Sequence, residues 1–280
     1  MIKITPDEVN LISRYIHRVS GILLDQTKAY LIESRLGRLV EEMGLSSYRA
    51  LYEKVRFDGS KTLERKIIDA ITTNETLFFR DASPFQLLQH KILPDLIDRR
   101  SGKSSGLLPI SIRIWSAGCS TGQEVYSIAI VLKELLPDLR KFRIKLLGTD
   151  ISDSAIAQAS YGQYSKFEIE RGLPRDKLLK YFNANGNHWK VKDEIRAMAT
   201  FKKQNLMESF LGLGRFDIIF CRNVAIYFPL EDRKKLFEKI ANSLEGDGYL
   251  IIGASESLTG ICSRFEPKRH LRSVFYQLRE

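Results

Sequence analysis

The sequence predicts an α/β protein with an all-helical N-terminal part and a doubly wound, mostly parallel sheet from about residue 110 onward. Three observations support this fold class. The N-terminal quarter has helical periodicity, the C-terminal part alternates apolar runs with amphipathic helices, and 280 residues is long for a single core. We therefore expect residues 1–71 to form a helical domain, 72–109 a linker and helix, and 110–280 the α/β domain.

The helical part extends from residue 7 to about residue 70. In "KAYLIESRLGRLVEEMG" (28–44), apolar residues recur every three or four positions and predict one buried stripe. Lys28, Arg35 and Arg38 fall together to one side of that stripe. These three cations indicate either a solvated flank of a packed helix or a docking face for an acidic partner.

The period changes after the predicted loop "SGKSSGLLP" (101–109). The predicted strands are "IRIWSAG", "FRIKLLGTD", "FDIIFCRN" and "YLIIGAS", and the helices between them are "EVYSIAIVLKELL", "SDSAIAQAS" and "LEDRKKLFEKIANSLEGDG", the last with a glycine stop. The segment of about 160–200 interrupts this alternation and contains the turn signal Asn185-Gly186. We expect it to be a small inserted antiparallel β subdomain.

Composition limits the possible classes of protein. No run approaches the ~18 apolar residues of a membrane span, and the first residues lack the apolar core of a signal peptide, so we expect a cytoplasmic protein. Three distant cysteines predict no disulfide framework, and four scattered histidines predict no metal site. The net charge of +10 indicates an acidic partner, which could be nucleic acid, anionic lipid or an acidic protein surface.

The predicted strand ends indicate a cofactor site, because open parallel sheets bind ligands at the carboxyl ends of their strands. Gly118 and Gly122 follow the first strand, and Asp150 ends the second, where it could accept hydrogen bonds from ribose hydroxyls. The glycines are spaced G-x-x-x-G, which matches neither the dinucleotide fingerprint nor the phosphate loop. A cofactor without phosphates, such as S-adenosylmethionine, fits better than NAD or ATP. The alternative is that both glycines only make a tight turn.

Six motifs, in order, resemble those of one family. They are "TTNETLFFRD", "WSAGCSTGQEVYSIAI", "GTDIS", "NLM", "FDIIFCRNVAIYF" and "GASESL". Together they resemble the chemotaxis receptor glutamate methyltransferases, the CheR family, over most of the chain. The resemblance implies a Rossmann-like S-adenosylmethionine-dependent methyltransferase domain. It also implies a bacterial enzyme that methyl-esterifies glutamates on the cytoplasmic helices of methyl-accepting chemotaxis receptors and releases S-adenosylhomocysteine.

The resemblance also implies site residues. With Gly118 from the first turn, the predicted cofactor contacts are Asn74, Thr76, Arg80, Glu124, Asp150, Asn205, Leu206, Arg222 and Asn223. Arg80 and Tyr227 are the candidate catalytic residues, Arg80 to orient the glutamate carboxylate and Tyr227 to lie near the methyl group. The alternatives are an ion pair of Arg80 with Asp81 or Asp150, and simple packing for Tyr227. Lys28, Arg35 and Arg38 become candidate receptor-docking residues.

Two other functions stay open from the residues themselves. A nucleic-acid methyltransferase would suit the positive charge, but "RNVAIYF" lacks the [DN]-P-P-[YF] motif of amine-directed enzymes. A non-catalytic scaffold could keep the fold and only bind the cofactor. Since a carboxylate is already ionised at neutral pH, its methylation requires no general base, so the lack of a candidate histidine base does not count against the enzyme. We expect a monomer.

Overall fold

The computed structural model describes residues 2–102, 109–136, 138–271 and 273–279; the core of the predicted loop, 103–108, lies outside this set. The helices are α1 (Pro6–Ser20), α2 (Ala29–Glu42), α3 (Tyr48–Arg56), α4 (Thr62–Ile71), α5 (Ser83–Leu87), α6 (Leu93–Ser101), α7 (Gln123–Leu135), α8 (Asp153–Tyr161), α9 (Lys166–Glu170), α10 (Arg175–Tyr181), α11 (Asp193–Arg196) and α12 (Leu230–Ser243). The strands are β1 (Ile110–Ala117), β2 (Phe142–Asp150), β3 (Gln163–Ser165), β4 (Phe182–Asn185), β5 (His188–Val191), β6 (Ala199–Lys203), β7 (Phe216–Cys221), β8 (Leu244–Ile252), β9 (Phe265–His270) and β10 (Ser273–Leu278).

The N-terminal part is helical because caps and apolar stripes agree. Thr5 and Glu8 form a capping box at the start of α1, and Gly21 ends that helix with φ +78°. In α2, Ile32, Leu36 and Leu39 are buried, as the predicted stripe requires. The apolar faces of α1 to α4 share one hydrophobic core, separate from the cores on either side of the main sheet.

The main sheet has seven strands in the order β6-β2-β1-β7-β8-β10-β9. Strands β6, β2, β1, β7 and β8 are parallel, and β10 is antiparallel to both of its neighbours. The chain winds outward in one direction from β1 to β6 and in the other from β7, so the strand order reverses between β1 and β7. This reversal opens a crevice at the carboxyl edge of the sheet. The predicted doubly wound fold class is confirmed.

Three elements differ from the sequence expectations. Strand β6 was not predicted: it pairs in parallel with β2, and its sequence, "ATFKK", gives a weak signal because none of its residues is fully buried. Helix α12 ends at Ser243, before the glycines of "LEGDG", because Leu244 already pairs with Phe216 in the sheet. The C-terminal hairpin of β9 and β10 was also not foreseen.

The small antiparallel sheet is present as predicted. Its order is β3-β5-β4, and Asn185 pairs with His188 across a turn in which Gly186 has φ +58°. Its aromatic residues join the main core. The rings of Tyr164 and Phe182 pack edge-on against Phe78, which is fully buried, at 5.0 and 5.4 Å between centroids. The inserted sheet therefore fastens the linker that precedes α5.

The helical part lies against the carboxyl edge of the main sheet. Asp69 of α4 accepts a 2.7 Å hydrogen bond from the Ser152 hydroxyl, just after β2. On the β7 side, the backbone N–H of Leu23 donates to the carbonyl of Tyr227 at 2.9 Å. The crevice is thus bordered on two sides by the N-terminal helices. No helix in the described part of the chain is long and apolar enough to cross a membrane.

Candidate cofactor and substrate site

An open cavity of about 870 Å³ occupies the crevice at the carboxyl ends of β1, β2 and β7. Its walls come from the helical part, the linker, the loops after these strands and the segment after β6. Every predicted catalytic and cofactor residue lines this cavity: Asn74, Thr76, Arg80, Gly118, Glu124, Asp150, Asn205, Leu206, Arg222, Asn223 and Tyr227. Residues far apart in the sequence therefore meet at one concave site, as a small-molecule ligand requires.

The two glycines of the first turn have different roles. Gly118 lines the cavity with φ +76°, and a Cβ there would lie 2.9 Å from Val224 Cγ2. Gly122 has φ +94°, and its Cβ would lie 2.8 Å from the Cβ of Ala159 on α8. Gly122 is not among the cavity residues, so the tight-turn alternative is correct for this position. Only Gly118 keeps the backbone close to the ligand space.

Asp150 is held by backbone donors. Its two carboxylate oxygens accept the N–H groups of Ser120 at 2.8 Å and Ser152 at 3.0 Å. Burial raises the pKa of Asp150, and these hydrogen bonds oppose that effect. Ser120 also donates its hydroxyl to the carbonyl of Asn74 at 3.0 Å, which joins the first turn to the linker. The carboxylate is thus oriented, and each oxygen keeps a lone pair that can accept a ligand hydroxyl.

Arg222 and Glu124 form the buried wall between β7 and α7. Arg222 Nη1 donates to Glu124 Oε2 at 2.7 Å, and Nη2 donates to Asp81 Oδ2 and to the Arg80 carbonyl, each at 2.9 Å. The Arg222 side chain is 1% exposed. Its Nε is buried and has no hydrogen-bond partner among the described residues. One guanidinium therefore joins the sheet, the helix and the linker.

The linker "TTNETLFFRD" is fastened at its start and near its middle. Arg35 Nη1 donates to the carbonyls of Ile71 and Thr72 at 2.8 Å, where the linker leaves α4. Further along, Glu75 forms an ion pair with Arg171 of the inserted subdomain, and this hydrogen bond lowers the pKa of Glu75. The first half of the linker is thus held on both sides of Asn74, and Asn74 and Thr76 lie in the cavity lining.

Arg80 is in a position to meet a ligand. Its Nη1 donates to the carbonyl of Glu75 at 3.1 Å, and it makes no ion pair among the described residues. The alternative pairing with Asp81 or Asp150 is not observed, because Arg222 and backbone N–H groups occupy those carboxylates. Tyr227 borders both this cavity and a smaller neighbouring groove.

Backbone strain is concentrated around the cavity. Four non-glycine residues with φ between +51° and +57° belong to its walls or to the linker: Phe79, Asp81, Ser120 and Asn223. Left-handed conformations of this kind cost free energy and persist where the surrounding structure enforces them. Their clustering on three separate segments indicates that the surrounding structure holds the backbone in these conformations at the cavity.

Two residues that support the site from outside the cavity were missed by sequence reasoning. Asp69 links α4 to the loop after β2, and Glu256 accepts the backbone N–H groups of Asn223 and Gly253. In the sequence, the only indication of a role for Glu256 at the site is its place in the motif "GASES". No feature of the sequence indicates a role for Asp69. The Asn205 amide, predicted to contact the cofactor, donates to the carbonyl of Val19 at 2.9 Å and so also joins the helical part to the sheet.

The three predicted docking cations have different surroundings. Lys28 and Arg35 line a groove of about 430 Å³ beside the cavity, and this groove shares Tyr227 with it. Arg35 is also engaged with the linker carbonyls, as described above. Arg38 lies outside the groove, is exposed and pairs with Glu42 one turn along α2 at 2.7 Å.

The arrangement of charge selects a class of cofactor. A phosphate would bind at the start of α7, but Glu124 lies in the first turn of that helix and Asp150 lies opposite. The same carboxylates suit ribose hydroxyls and a cationic group. The fold and the cavity therefore define a doubly wound protein that binds a nucleoside cofactor without phosphates.

Comparison with known families gives the particular class. The CheR methyltransferase, SAM binding domain matches residues 74–272, and the CheR methyltransferase, all-alpha domain matches residues 7–72. The chain therefore belongs to the CheR methyltransferase family, and it is an S-adenosylmethionine-dependent methyltransferase.

Individual relatives align over almost the whole chain. The chemotaxis protein methyltransferase Cher2 of Pseudomonas putida is 37% identical over 268 residues, which cover 94% of each chain. The chemotaxis protein methyltransferase of Vibrio parahaemolyticus is 39% identical over 286 residues and 99% of each chain. That of Borreliella burgdorferi is 39% identical over 262 residues, covering 92% of this chain and 91% of its own.

Proposed function

We propose that this protein transfers the methyl group of S-adenosylmethionine to glutamate side chains on the cytoplasmic helices of chemotaxis receptors. The products are the glutamate methyl ester and S-adenosylhomocysteine. The observation that carries the proposal is Arg80: a guanidinium that lines the cofactor cavity, with one hydrogen bond to a carbonyl and no carboxylate partner among the described residues. The relatives are named as chemotaxis methyltransferases, which supports the same role.

The chemistry needs orientation rather than proton transfer. S-Adenosylmethionine supplies a methyl group on a cationic sulfur, and the acceptor is a carboxylate that is already ionised at neutral pH. As the new C–O bond forms and the C–S bond breaks, the two opposite charges are lost and no proton moves. The cavity carboxylates are fastened by their neighbours, Asp150 by backbone N–H groups and Glu124 by Arg222 and Ser116.

The chain's residues divide into three groups in this proposal. Asp150 accepts the ribose hydroxyls, and Asn74, Thr76, Asn205, Leu206 and Asn223 complete the cofactor contacts around Gly118. Glu124 and Arg222 support the wall between them. Arg80 holds the incoming glutamate carboxylate with its planar fork, and Tyr227 packs beside the methyl group.

The receptor would approach from the side of the helical part. Lys28 and Arg35 line the groove next to Tyr227, and their charge suits helices that carry several glutamates. The net charge of +10 favours the same encounter. We further propose that the enzyme works in the cytoplasm, since receptor signalling helices lie on that side of the membrane. We also propose that it acts as a monomer.

Labelling with tritiated S-adenosylmethionine tests the proposal. We expect receptor-containing membranes to gain label that mild base releases as volatile methanol, because a carboxyl methyl ester is base-labile. Membranes in which the receptor glutamates are replaced by alanine serve as the control and should gain none. Label in added nucleic acid instead would contradict the proposal, and cofactor binding without label in any acceptor would indicate a scaffold.

A further inference from the structure

Glu256 joins the ends of two neighbouring strands with one oxygen. Strands β7 and β8 pair in parallel up to Cys221 and Ile252. The chain then leaves the sheet on both strands. Glu256 Oε2 accepts the next available N–H groups, that of Asn223 at 2.8 Å and that of Gly253 at 2.7 Å.

The surroundings of this carboxylate are shaped to fit it. A Cβ on Gly253 would lie 2.4 Å from Glu256 Oε2 and 2.9 Å from the Asn223 side-chain nitrogen, so a larger residue there would displace one or both groups. The Glu256 N–H donates to the Gly253 carbonyl at 2.9 Å and closes a turn that directs the side chain back toward β7. This turn is the "GASES" motif, to which the cofactor contacts assign no role.

The residue on the other side of the contact has an unusual backbone conformation. Asn223 has φ +57°, in the left-handed region, which few residues other than glycine adopt and which asparagine adopts more readily than most. It also lines the cofactor cavity, whereas Glu256 does not. A hydrogen bond from its own N–H to a fixed carboxylate is a direct way to hold that backbone conformation, and with it the direction of the amide side chain.

We propose that Glu256 is a positioning residue for cofactor binding, which acts by holding the backbone of Asn223 in its left-handed conformation at the wall of the cavity. The inference rests on the proposed cofactor contact of Asn223. It assigns to the "GASES" turn a function in ligand affinity, besides its role in ending the sheet.

The first test needs no ligand. Amide hydrogen exchange of the unliganded protein should show faster exchange at Asn223 and Gly253 in Glu256→Ala than in the natural protein. Glu256→Gln should exchange like the natural protein, because both N–H groups bond the same oxygen and an amide oxygen can accept both. Unchanged exchange in Glu256→Ala would contradict the inference.

The second test measures binding of S-adenosylhomocysteine by calorimetry. We expect Glu256→Ala to raise the dissociation constant about tenfold, as the loss of a buried acceptor suggests, and Glu256→Gln to stay within about threefold. In an Asn223→Ala background, Glu256→Ala should add at most about a twofold effect, because the two residues act through one contact.

A structural turn alone would behave differently. In that case Glu256→Ala would lower the unfolding temperature but leave the dissociation constant unchanged, or would change it equally in both backgrounds, and either result overturns the inference. Binding of S-adenosylhomocysteine involves no receptor. A failure of receptor labelling would therefore count against the proposed function and not against this one.

Discussion

The guanidinium of Arg222 lies 2.7 Å from the carboxylate of Glu124, and only 1% of the arginine side chain is exposed. The same guanidinium reaches the Arg80 carbonyl and Asp81, so it connects β7, α7 and the linker. Because an uncompensated charge inside a protein is costly, removal of one partner should cost more than the pair contributes.

We therefore expect Arg222→Ala to lower the free energy of unfolding by about 3–5 kcal/mol, since Glu124 loses its buried cation. Urea denaturation at neutral pH measures this change. Glu124→Gln is the matched control: it keeps an acceptor for Nη1 and should cost about 1 kcal/mol. A loss below about 1 kcal/mol in Arg222→Ala would show that water reaches this wall and compensates the charge.

Arg80→Ala should separate turnover from stability. The side chain is half-buried and makes one hydrogen bond, to the Glu75 carbonyl, so we expect less than about 1 kcal/mol of destabilisation. Receptor methylation should fall on the order of 100-fold because the acceptor carboxylate loses its orienting fork. Arg80→Lys keeps the charge without the fork and should recover only part of the rate. Turnover within about threefold of the natural enzyme in Arg80→Ala would exclude the proposed role.

Phe79→Ala should lose both stability and turnover. The Phe79 ring packs against Phe85 at 5.2 Å between centroids, and its backbone N–H donates to the Ser127 hydroxyl on α7 at 2.9 Å. Truncation should cost about 2–4 kcal/mol of unfolding free energy by urea denaturation. It should also weaken S-adenosylhomocysteine binding, since the linker loses an anchor. Phe79→Leu, which keeps most of the apolar contact, should retain binding; equal loss in both variants would argue against this role.

The proposed docking surface should make the Michaelis constant for receptor membranes depend on salt concentration. We expect Lys28→Ala/Arg38→Ala to raise the Michaelis constant for receptor membranes several-fold at low ionic strength, with a smaller effect at high salt because exposed charges are screened. Lys54→Ala/Lys66→Ala removes two other exposed cations of the helical part and serves as the control. If both double variants behave alike, the effect belongs to net charge and not to this face.

Arg35 is left out of the Lys28/Arg38 double variant because its side chain also supports the linker. Its guanidinium holds the carbonyls of Ile71 and Thr72, so Arg35→Ala should weaken cofactor binding as well as receptor binding. The three cations, which the sequence placed on one flank of α2, therefore need not act alike.

Glu256→Gln should change the pH dependence of stability. Burial raises the pKa of Glu256, so the folded protein holds this proton more tightly than the unfolded chain. The associated stability is present at low pH and is lost as the pH rises from the ordinary glutamate pKa of about 4.3 through the raised value. Glutamine cannot ionise. We expect the variant to gain unfolding free energy relative to the natural protein as the pH rises above about 4, measured by urea denaturation. A constant difference across that range would contradict the raised pKa.

Much of the site was predictable because its motifs stand at strand ends. Asp150 closes a strand that was predicted residue for residue, and Gly118 follows the first strand. Parallel strands bring their carboxyl ends to one edge, so a local pattern was enough to place these residues together. The resemblance of the ordered motifs then added the linker residues and Tyr227.

Sequence analysis missed the features that depend on contacts between distant parts of the chain. Strand β6 is half-exposed at the sheet edge, so its apolar pattern is weak, and α12 stops early because Leu244 pairs in the sheet instead of continuing the helix. The different roles of Gly118 and Gly122 depend on their neighbours: a Cβ on Gly118 would contact Val224, and a Cβ on Gly122 would contact Ala159. No spacing rule contains that information.

By itself, the sequence determined the doubly wound class and indicated a phosphate-free cofactor, because periodicity and short motifs are properties of the chain alone. Its resemblance to the family predicted the other residues that line the cavity. The tertiary structure decided how those residues are used. Among the residues that the structure describes, it left Arg80 without an ion pair, and it engaged Arg35 with the linker and placed Glu256 behind Asn223. Such roles follow from which donors and acceptors meet across distant segments, and only folding brings those segments together.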